Sequence, residues 1–195
     1  MQKLQEVINL HINNVEEFFT SLDLIPLSQI ENPNQLFNTF NGSKNKDLEE
    51  FLKNKSVDSD LRGSTRTHLL VNNNEDEPKL IGYFTLTIKP ILTNGISKEF
   101  IKKVDGFSKE RKCIYFHLIA QLGLSNEYIG IGLGDYLLYT AISLIEDANK
   151  IIGGRYILVD AFNCDPVIHF YERNGFIKLP TLEEDQNSIK MIYKI

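Results

Sequence analysis

The sequence predicts an α/β (α+β) fold with a central mixed sheet of about six to seven strands, flanked by helices and built on a single βαβ core. Three observations support this prediction. Residues 114–124 are mostly apolar, as in a strand covered on both faces, and a glycine-rich turn follows them. From Leu133 the apolar spacing is that of a long amphipathic helix. Residues 156–161 then resemble a second strand, parallel to the first, which completes the crossover.

The part of the chain before this core predicts short helices and a hairpin. Prolines and asparagines between residues 26 and 47 indicate loops or a short helix. The two predicted strands on either side of the polar turn at 72–78 should pair antiparallel. The elements expected here are a strand at 4–12, a helix at 15–22, a helix around 48–52, and strands at 65–71 and 80–88.

The part after the core predicts one more helix and two strands. The long helix should end at Gly153–Gly154. Asp165 as cap, with Pro166 at the first helical position, predicts a helix that runs to about Asn174. A strand follows it, and the alternating residues 189–195 should close the sheet as an antiparallel strand.

Residues 95–112 are unusually basic. They hold six basic residues and three acids, a net charge of +3, in a chain whose net charge is −5. Phe100, Ile101, Val104 and Phe107 predict a short helix that lies on the body of the protein. Two interpretations stay open: a solvated insertion, or an electrostatic guide for a negatively charged partner.

Length and composition favour one domain over residues 1–195 in a cytoplasmic protein. A hydrophobic content of 42% suffices for a full core, and the net charge of −5 argues against wholesale binding to nucleic acid. Cys113 and Cys164 lie far apart, so reduced thiols are expected and no metal site is. No window holds the about 20 apolar residues that a membrane helix needs, so no membrane partner is expected.

The turn before the long helix is the candidate binding site. Glycines let a backbone approach a ligand closely, and the N–H groups that begin a helix favour an anion, most often a phosphate. A Walker loop is excluded because its Gly-Lys-Ser/Thr ending is lacking. A dinucleotide loop would need glycine where Asp135 stands. Only 35 residues (195 − 160) follow Asp160, the candidate ribose-binding acid, which is too few for a doubly wound sheet.

The remaining phosphate site is one for a pantetheine pyrophosphate. Glu127-Tyr128-Ile129-Gly130-Ile131-Gly132 resembles the Arg/Gln-x-x-Gly-x-Gly/Ala loop of the GNAT family of N-acetyltransferases, and residues 169–176 resemble its Phe-Tyr-Glu-x-x-Gly-Phe element. The two blocks make 114–178 the expected acetyl-CoA-binding core and leave 1–62 as the acceptor side. Shorter matches at 40–52, 64–67 and 81–86 resemble toxin-type members, which acetylate aminoacyl-tRNA.

This resemblance implies an acyltransferase that moves the acetyl group of acetyl-CoA, its co-substrate, to a primary amine by direct attack in a ternary complex. Tyr171 would be the general acid that protonates the departing thiolate. Glu127 replaces an Arg or Gln beside the pyrophosphate, so a weaker cofactor site is expected. The implied cofactor-binding residues are Leu122, Gly123, Leu124, Ile129, Gly130, Ile131, Gly132, Leu133, Gly134 and Asn163, the last one position early in the family's pattern.

Several points stay open from the sequence. His117 and Glu127 are candidate bases, but water could also serve. Lys150, Arg155 and Arg173 are candidates for the 3′-phosphate or simply solvated cations. The acceptor is a small or macromolecular amine, with aminoacyl-tRNA as the alternative that would make the protein a toxin. A second alternative is a module that binds and senses CoA without catalysis, and a homodimer is compatible with the sequence.

Overall fold

The computed structural model describes residues 15–42, 45–73, 77–180 and 187–195. The predicted strand at 4–12 lies outside the described residues. The chain divides into two compact units, Met1–Leu86 with Gln121–Ala141, and Thr87–Ala120 with Ile142–Ile195.

The first unit starts with short elements and continues into the sheet. Its helices and strands are α1 (Val15–Thr20), β1 (Leu22–Pro26), α2 (Pro33–Asn38), α3 (Lys46–Asn54), α4 (Ser56–Leu61), β2 (Arg66–Asn72) and the beginning of β3 (Lys79–Leu92). Leu52 on α3, Leu69 on β2 and Tyr83 on β3 are fully buried in one apolar cluster. The helix around 48–52 and both strands of the hairpin are confirmed. The helix predicted at 15–22 is present but ends at Thr20, and Leu22 begins strand β1, which the sequence did not predict.

The second unit holds the basic insertion and the C-terminal half of the sheet. Its elements are α5 (Lys98–Asp105), β4 (Cys113–Leu124), α6 (Leu133–Ile152), β5 (Tyr156–Phe162), α7 (Asp165–Arg173), β6 (Ile177–Lys178) and β7 (Ser188–Lys194), with the end of β4 and the start of α6 belonging to the first unit. Gly153 and Gly154 follow α6 with φ of +74° and +136°, which confirms the predicted helix end.

Within the described ranges, seven strands form one sheet in the order β1-β2-β3-β4-β5-β7-β6. Strands β4 and β5 are parallel, with α6 as the crossover, whereas β2 pairs antiparallel with β3 and β7 pairs antiparallel with β5. The mixed sheet, the βαβ core, the hairpin and the closing strand are thus as predicted. Among the described residues, no helix combines the length and apolar character needed to cross a membrane.

Four details of the prediction were wrong. Cys164, not Asp165, is the cap of α7, so Asp165 is the first helical residue. Helix α5 ends at Asp105, and Phe107 lies beyond it with 88% of its side chain exposed. Ala148 on α6 is exposed, and β4 is open to solvent where it begins, because 70% of Tyr115 is exposed. Apolar character alone did not reveal which of these residues a neighbouring element covers.

Candidate functional site

The glycine turn of the first unit joins β4 to α6. Gly130 and Gly132 have φ of +89° and +91°, a conformation that other residues rarely adopt. A Cβ atom added to Gly130 would meet no atom within 4 Å, so the backbone here borders open space. The amide of Tyr136 donates to the carbonyl of Gly132 at 3.2 Å. Helix α6 begins at Leu133, and the amides of its first residues, Leu133 and Gly134, precede the first intrahelical acceptor; such amides attract anions.

The residues between the glycines anchor this turn in the core. Ile131 and Leu133 are buried, whereas Gly130, Gly132 and Ile129 are exposed. The buried apolar side chains thus anchor the turn in the core, and the glycines leave its backbone exposed to solvent. This alternation is the arrangement that a backbone anion site requires.

A network around Ser125 and Asn41 holds the start of the same turn. Ser125 is fully buried, its hydroxyl accepts the amide of Asn41 at 3.0 Å, and its own amide donates to the Ile81 carbonyl at 2.8 Å. Asn126 donates its amide to the Asn41 carbonyl at 2.9 Å and its side-chain amide to Asn41 Oδ1 at 3.1 Å. Sequence reasoning missed both positions, since Asn41 stands 84 residues before Ser125.

Two aromatic pairs connect α1 with this region. The ring of Phe18 stacks on that of Tyr128 with centroids 6.3 Å apart, and Phe19 meets Tyr136 edge-on at 5.8 Å. Such pairs stabilise beyond the area they bury. These contacts pack helix α1 against the turn.

The end of β4 is a close approach of two strands. A Cβ on Gly123 would lie 2.7 Å from Cε1 of Tyr83, and a Cβ on Gly82 would lie 2.8 Å from the carbonyl oxygen of Gly123. Glycine is therefore required at both positions. The paired register of β4 and β5 runs only from His117–Ile157 to Ile119–Val159. Leu122, Gly123 and Leu124 lie beyond that pairing.

The second of the two sequence blocks that resemble the GNAT family contains Tyr171 to Phe176, which form the end of helix α7 in the second unit. The amide of Phe176 donates to the Tyr171 carbonyl and the amide of Gly175 donates to the Glu172 carbonyl, both at 3.0 Å. Gly175 has a φ of +86°. Together these bonds form a Schellman motif, with Tyr171 and Phe176 as its apolar contact. The backbone and rings of this segment are thus explained by helix termination, whereas the Tyr171 hydroxyl is not.

The environment of Tyr171 keeps its hydroxyl protonated. The ring packs edge-on against Phe170 and Phe176, with centroids 5.0 and 5.3 Å away, and only 8% of the residue is exposed. Burial raises the pKa of Tyr171 above its ordinary value of 10. A neutral phenol in such a place can donate a proton but resists losing it to solvent.

The other predicted site residues have separate surroundings. Asn163 is exposed between β5 and α7, and its amide donates to the Asn187 carbonyl at 3.0 Å. His117 Nε2 lies 3.0 Å from the Gly153 carbonyl oxygen, a bond that requires the proton on that nitrogen. Glu127 is exposed beside the turn.

The candidate phosphate cations all have partners within the second unit. Lys150 pairs with Asp147 at 2.7 Å, and Arg155 donates to the carbonyls of Lys103 and Val104 at 3.2 Å. The guanidinium of Arg173 lies 5.3 Å from the ring centroid of Phe170.

Asp160, the acid that a dinucleotide site would need, is also engaged. Its carboxylate forms ion pairs with Lys89 and Lys190. Its single charge is thus shared by two lysines of the same unit, which weakens the dinucleotide interpretation.

Comparisons with known proteins place the fold. No family model matches the sequence, and no curated protein does. Among solved structures, the chain is similar to a tyrosine-to-phenylalanine mutant of KacT, with a TM-score of 0.72 and 22% identity over 89% of this chain and 95% of that one. It is also similar to AtaT complexed with acetyl-methionyl-tRNAfMet, with a TM-score of 0.69 and 22% identity over 87% and 93%.

A third similar structure is AtaTR bound with AcCoA, with a TM-score of 0.66 and 22% identity over 88% of this chain and 92% of that one. The similarity to these three structures extends over nearly the whole of each chain. At 22% identity this similarity establishes the fold alone, so the chemistry has to be argued from the residues of this chain. The fold that the sequence predicts is therefore confirmed, and this chain has the GNAT fold.

Proposed function

We propose that this chain is an acetyl-CoA-dependent N-acetyltransferase whose acceptor is the amino group of an aminoacyl-tRNA. The observation that carries the proposal is the open, positive-φ turn at Gly130 and Gly132 ahead of α6. Among proteins of the same fold, one AtaT structure holds acetyl-methionyl-tRNAfMet and another AcCoA. These neighbours favour aminoacyl-tRNA over a small amine as the acceptor.

In this proposal the glycine turn and the end of β4 bind most of the acyl donor. The amides of residues 130–134 hold the pyrophosphate, since the amide of Ile129 already donates to the Asn126 carbonyl at 3.3 Å. The β4 backbone at Leu122–Leu124 bonds the pantetheine arm and polarises the acetyl carbonyl. Asn163 completes the cofactor-binding set. Because Glu127 adds a negative charge beside the turn, we expect weaker binding than a cation there would give.

The chemical step balances with one proton donor. The amine nitrogen bonds the acetyl carbon, the carbon–sulfur bond breaks, and the thiolate takes the proton of the Tyr171 hydroxyl. His117 has one ring nitrogen held by Gly153, so we assign the removal of the amine proton to water, which then returns a proton to Tyr171. Tyr171 is thus the single catalytic residue of the proposal.

The test begins with binding of the donor. We expect calorimetry to detect binding of coenzyme A and acetyl-CoA at micromolar to millimolar concentration. In a separate assay, we expect the labelled acetyl group to be transferred to aminoacyl-tRNA but not to deacylated tRNA. Expression of the wild type should arrest growth, whereas Tyr171→Phe should not. The absence of any heat at millimolar coenzyme A would overturn the proposal.

Binding without transfer to any acceptor would instead favour the alternative, a module that senses CoA.

We also infer that residues 1–195 form one domain, which should unfold in a single transition in urea. A homodimer and a cytoplasmic location belong to the same proposal, and light scattering of the purified chain measures the first of them.

A further inference from the structure

We propose that the basic insertion, residues 95–112, and the cavity beside it form a docking surface for single-stranded RNA. The surface would contact phosphates and stack an unpaired base. This inference rests on the proposed function only in taking RNA as the partner, because every residue that carries it belongs to the second unit and none has a part in acetyl transfer. Four observations support it.

The first observation is a set of cations without counter-ions. Helix α5 buries Ile101 and Val104, which leaves the neighbouring lysines on its solvent side. Among the described residues, none of the four exposed lysines of this set forms an ion pair. They are Lys102, Lys103, Lys109 and Lys112. Unpaired positive charge concentrated in a chain of net charge −5 is an electrostatic footprint for an anion.

The second observation is that the insertion has a fixed shape. Asp105 accepts the amides of Ser108 at 2.7 Å and Phe107 at 3.2 Å, and it pairs with Arg111 Nε at 3.0 Å. These contacts, the Ser108 amide above all, hold the pKa of Asp105 below its ordinary value. The base of the insertion is closed where Thr93 donates its amide to the Lys112 carbonyl at 3.1 Å. A surface ordered in this way loses little entropy on binding.

The third observation is a pair of exposed rings, Phe107 in the insertion and Tyr115 near the start of β4. Phe107 is 88% exposed and Tyr115 is 70% exposed. Phenylalanine at that exposure contributes nothing to the core. Aromatic rings set among lysines are the usual platform for unpaired bases, because every base has a face that stacks.

The fourth observation is a cavity of about 300 Å³ that Tyr115 helps to line. Its lining also includes Arg155, Arg111 and Asp105. Arg111 pairs with Asp105 and Arg155 donates to two carbonyls, so the lining keeps a net positive charge that favours an anion. Rings and cations together favour RNA over an acidic protein, whose carboxylates would need no stacking platform.

The experiment measures binding of a fluorescein-labelled, unstructured RNA of about 12 nucleotides, a length near the site size of single-strand binders. Fluorescence polarisation is recorded without acetyl-CoA. We expect Phe107→Ala with Tyr115→Ala to weaken binding about tenfold or more, and Phe107→Trp to retain it. Lys109→Ala with Lys112→Ala should lower the slope of log affinity against log salt by about 1.4, at about 0.7 per phosphate contact.

Tyr139→Ala and Lys46→Ala are the matched controls, since both residues are exposed and lie outside the insertion. They should bind RNA as the wild type does. Equal loss in the controls, or no loss in the insertion variants, would overturn the inference. Polyglutamate that competes as well as RNA would also overturn it, in favour of an acidic protein partner.

The failure of this inference is distinguishable from failure of the proposed function. Coenzyme A binding by calorimetry should be unchanged in all insertion variants, because they leave the glycine turn intact. A chain that binds RNA through the insertion but not coenzyme A would keep this inference and remove the acetyltransferase. A chain that binds coenzyme A but not RNA would keep the acetyltransferase and remove this inference.

Discussion

Gly130 and Gly175 have nearly the same backbone conformation, with φ of +89° and +86°, in surroundings that differ completely. Around Gly130 there is open space, whereas a Cβ on Gly175 would contact the ring of Tyr193 at 3.4 Å. Gly130 belongs to a turn that borders the anion-attracting end of α6. Gly175 terminates α7 in a Schellman motif.

The difference teaches how to divide the two sequence blocks that resemble the GNAT family. In the first block the glycines leave space for a ligand. In the second block the glycine and the phenylalanine serve the helix end, so the Tyr171 hydroxyl is the group left for chemistry. The following predictions test that division, beginning with the largest expected effect.

Replacement of Tyr171 by Phe should separate packing from chemistry. We expect acetyl transfer to fall by about 100-fold or more, the usual contribution of a positioned acid. The free energy of unfolding should change little, because the phenyl ring keeps its contacts with Phe170 and Phe176. Initial rates at saturating acetyl-CoA and urea unfolding measure the two effects. A variant with wild-type rates would remove Tyr171 as the acid.

Alanine at the two glycines should change coenzyme A affinity at one position only. Gly130→Ala should weaken coenzyme A binding by about tenfold, and it should also lower the free energy of unfolding by about 1–2 kcal/mol, because alanine rarely adopts a φ of +89°. Gly175→Ala should lower the free energy of unfolding by about 1–2 kcal/mol, the cost of a left-handed residue, and leave the affinity unchanged. Calorimetry and urea unfolding on both variants provide the comparison. Equal affinity losses would show that the division is wrong.

Loosening the start of the turn should have a smaller effect on binding. Ser125→Ala removes the acceptor of the Asn41 amide, a half-buried hydrogen bond whose loss costs about 0.5–1.5 kcal/mol of stability. We expect coenzyme A affinity to fall a few-fold, since the turn remains tied by Ile131 and Leu133. Ser64→Ala, at an exposed serine, is the matched control. Unchanged stability in Ser125→Ala would contradict the role given to this network.

The smallest effect is a dependence on alkaline pH. Burial raises the pKa of both Tyr171 and Tyr83 above the ordinary value of 10. The unfolded chain therefore ionises first, and the stability that these neutral phenols contribute is complete below pH 10 and is lost as the pH rises above it. Tyr83→Phe and Tyr171→Phe should flatten that decline in urea unfolding. Identical pH profiles in wild type and variants would exclude it.

Most of the fold could be predicted because local patterns carry it. The amphipathic spacing after Leu133, the glycine pair at 153–154 and the alternation in 189–195 each predict an element that the structure contains. The start of α7 was placed one residue late because Asp165 and Pro166 are good first-turn residues, and the cap itself is Cys164, a poor one. The exposure of Phe107 was missed because composition does not show where a helix stops.

Part of the candidate site was equally readable. Glycine spacing identified the turn, and motif spacing identified Tyr171. The Asn41–Ser125 bonds were not readable, since no local rule connects residues so far apart in the chain. The same holds for Arg155, one of the cations considered for the 3′-phosphate, because the carbonyls to which it donates come from a distant helix.

The sequence by itself determined which segments form helices and strands and where the backbone must bend, because hydrophobic period and glycine act over a few residues. The tertiary structure alone decided which side chains are buried, which charges are paired, and which glycine faces open space. Those properties depend on neighbours brought together from far along the chain, and so does the difference between a glycine that ends a helix and one that admits a ligand.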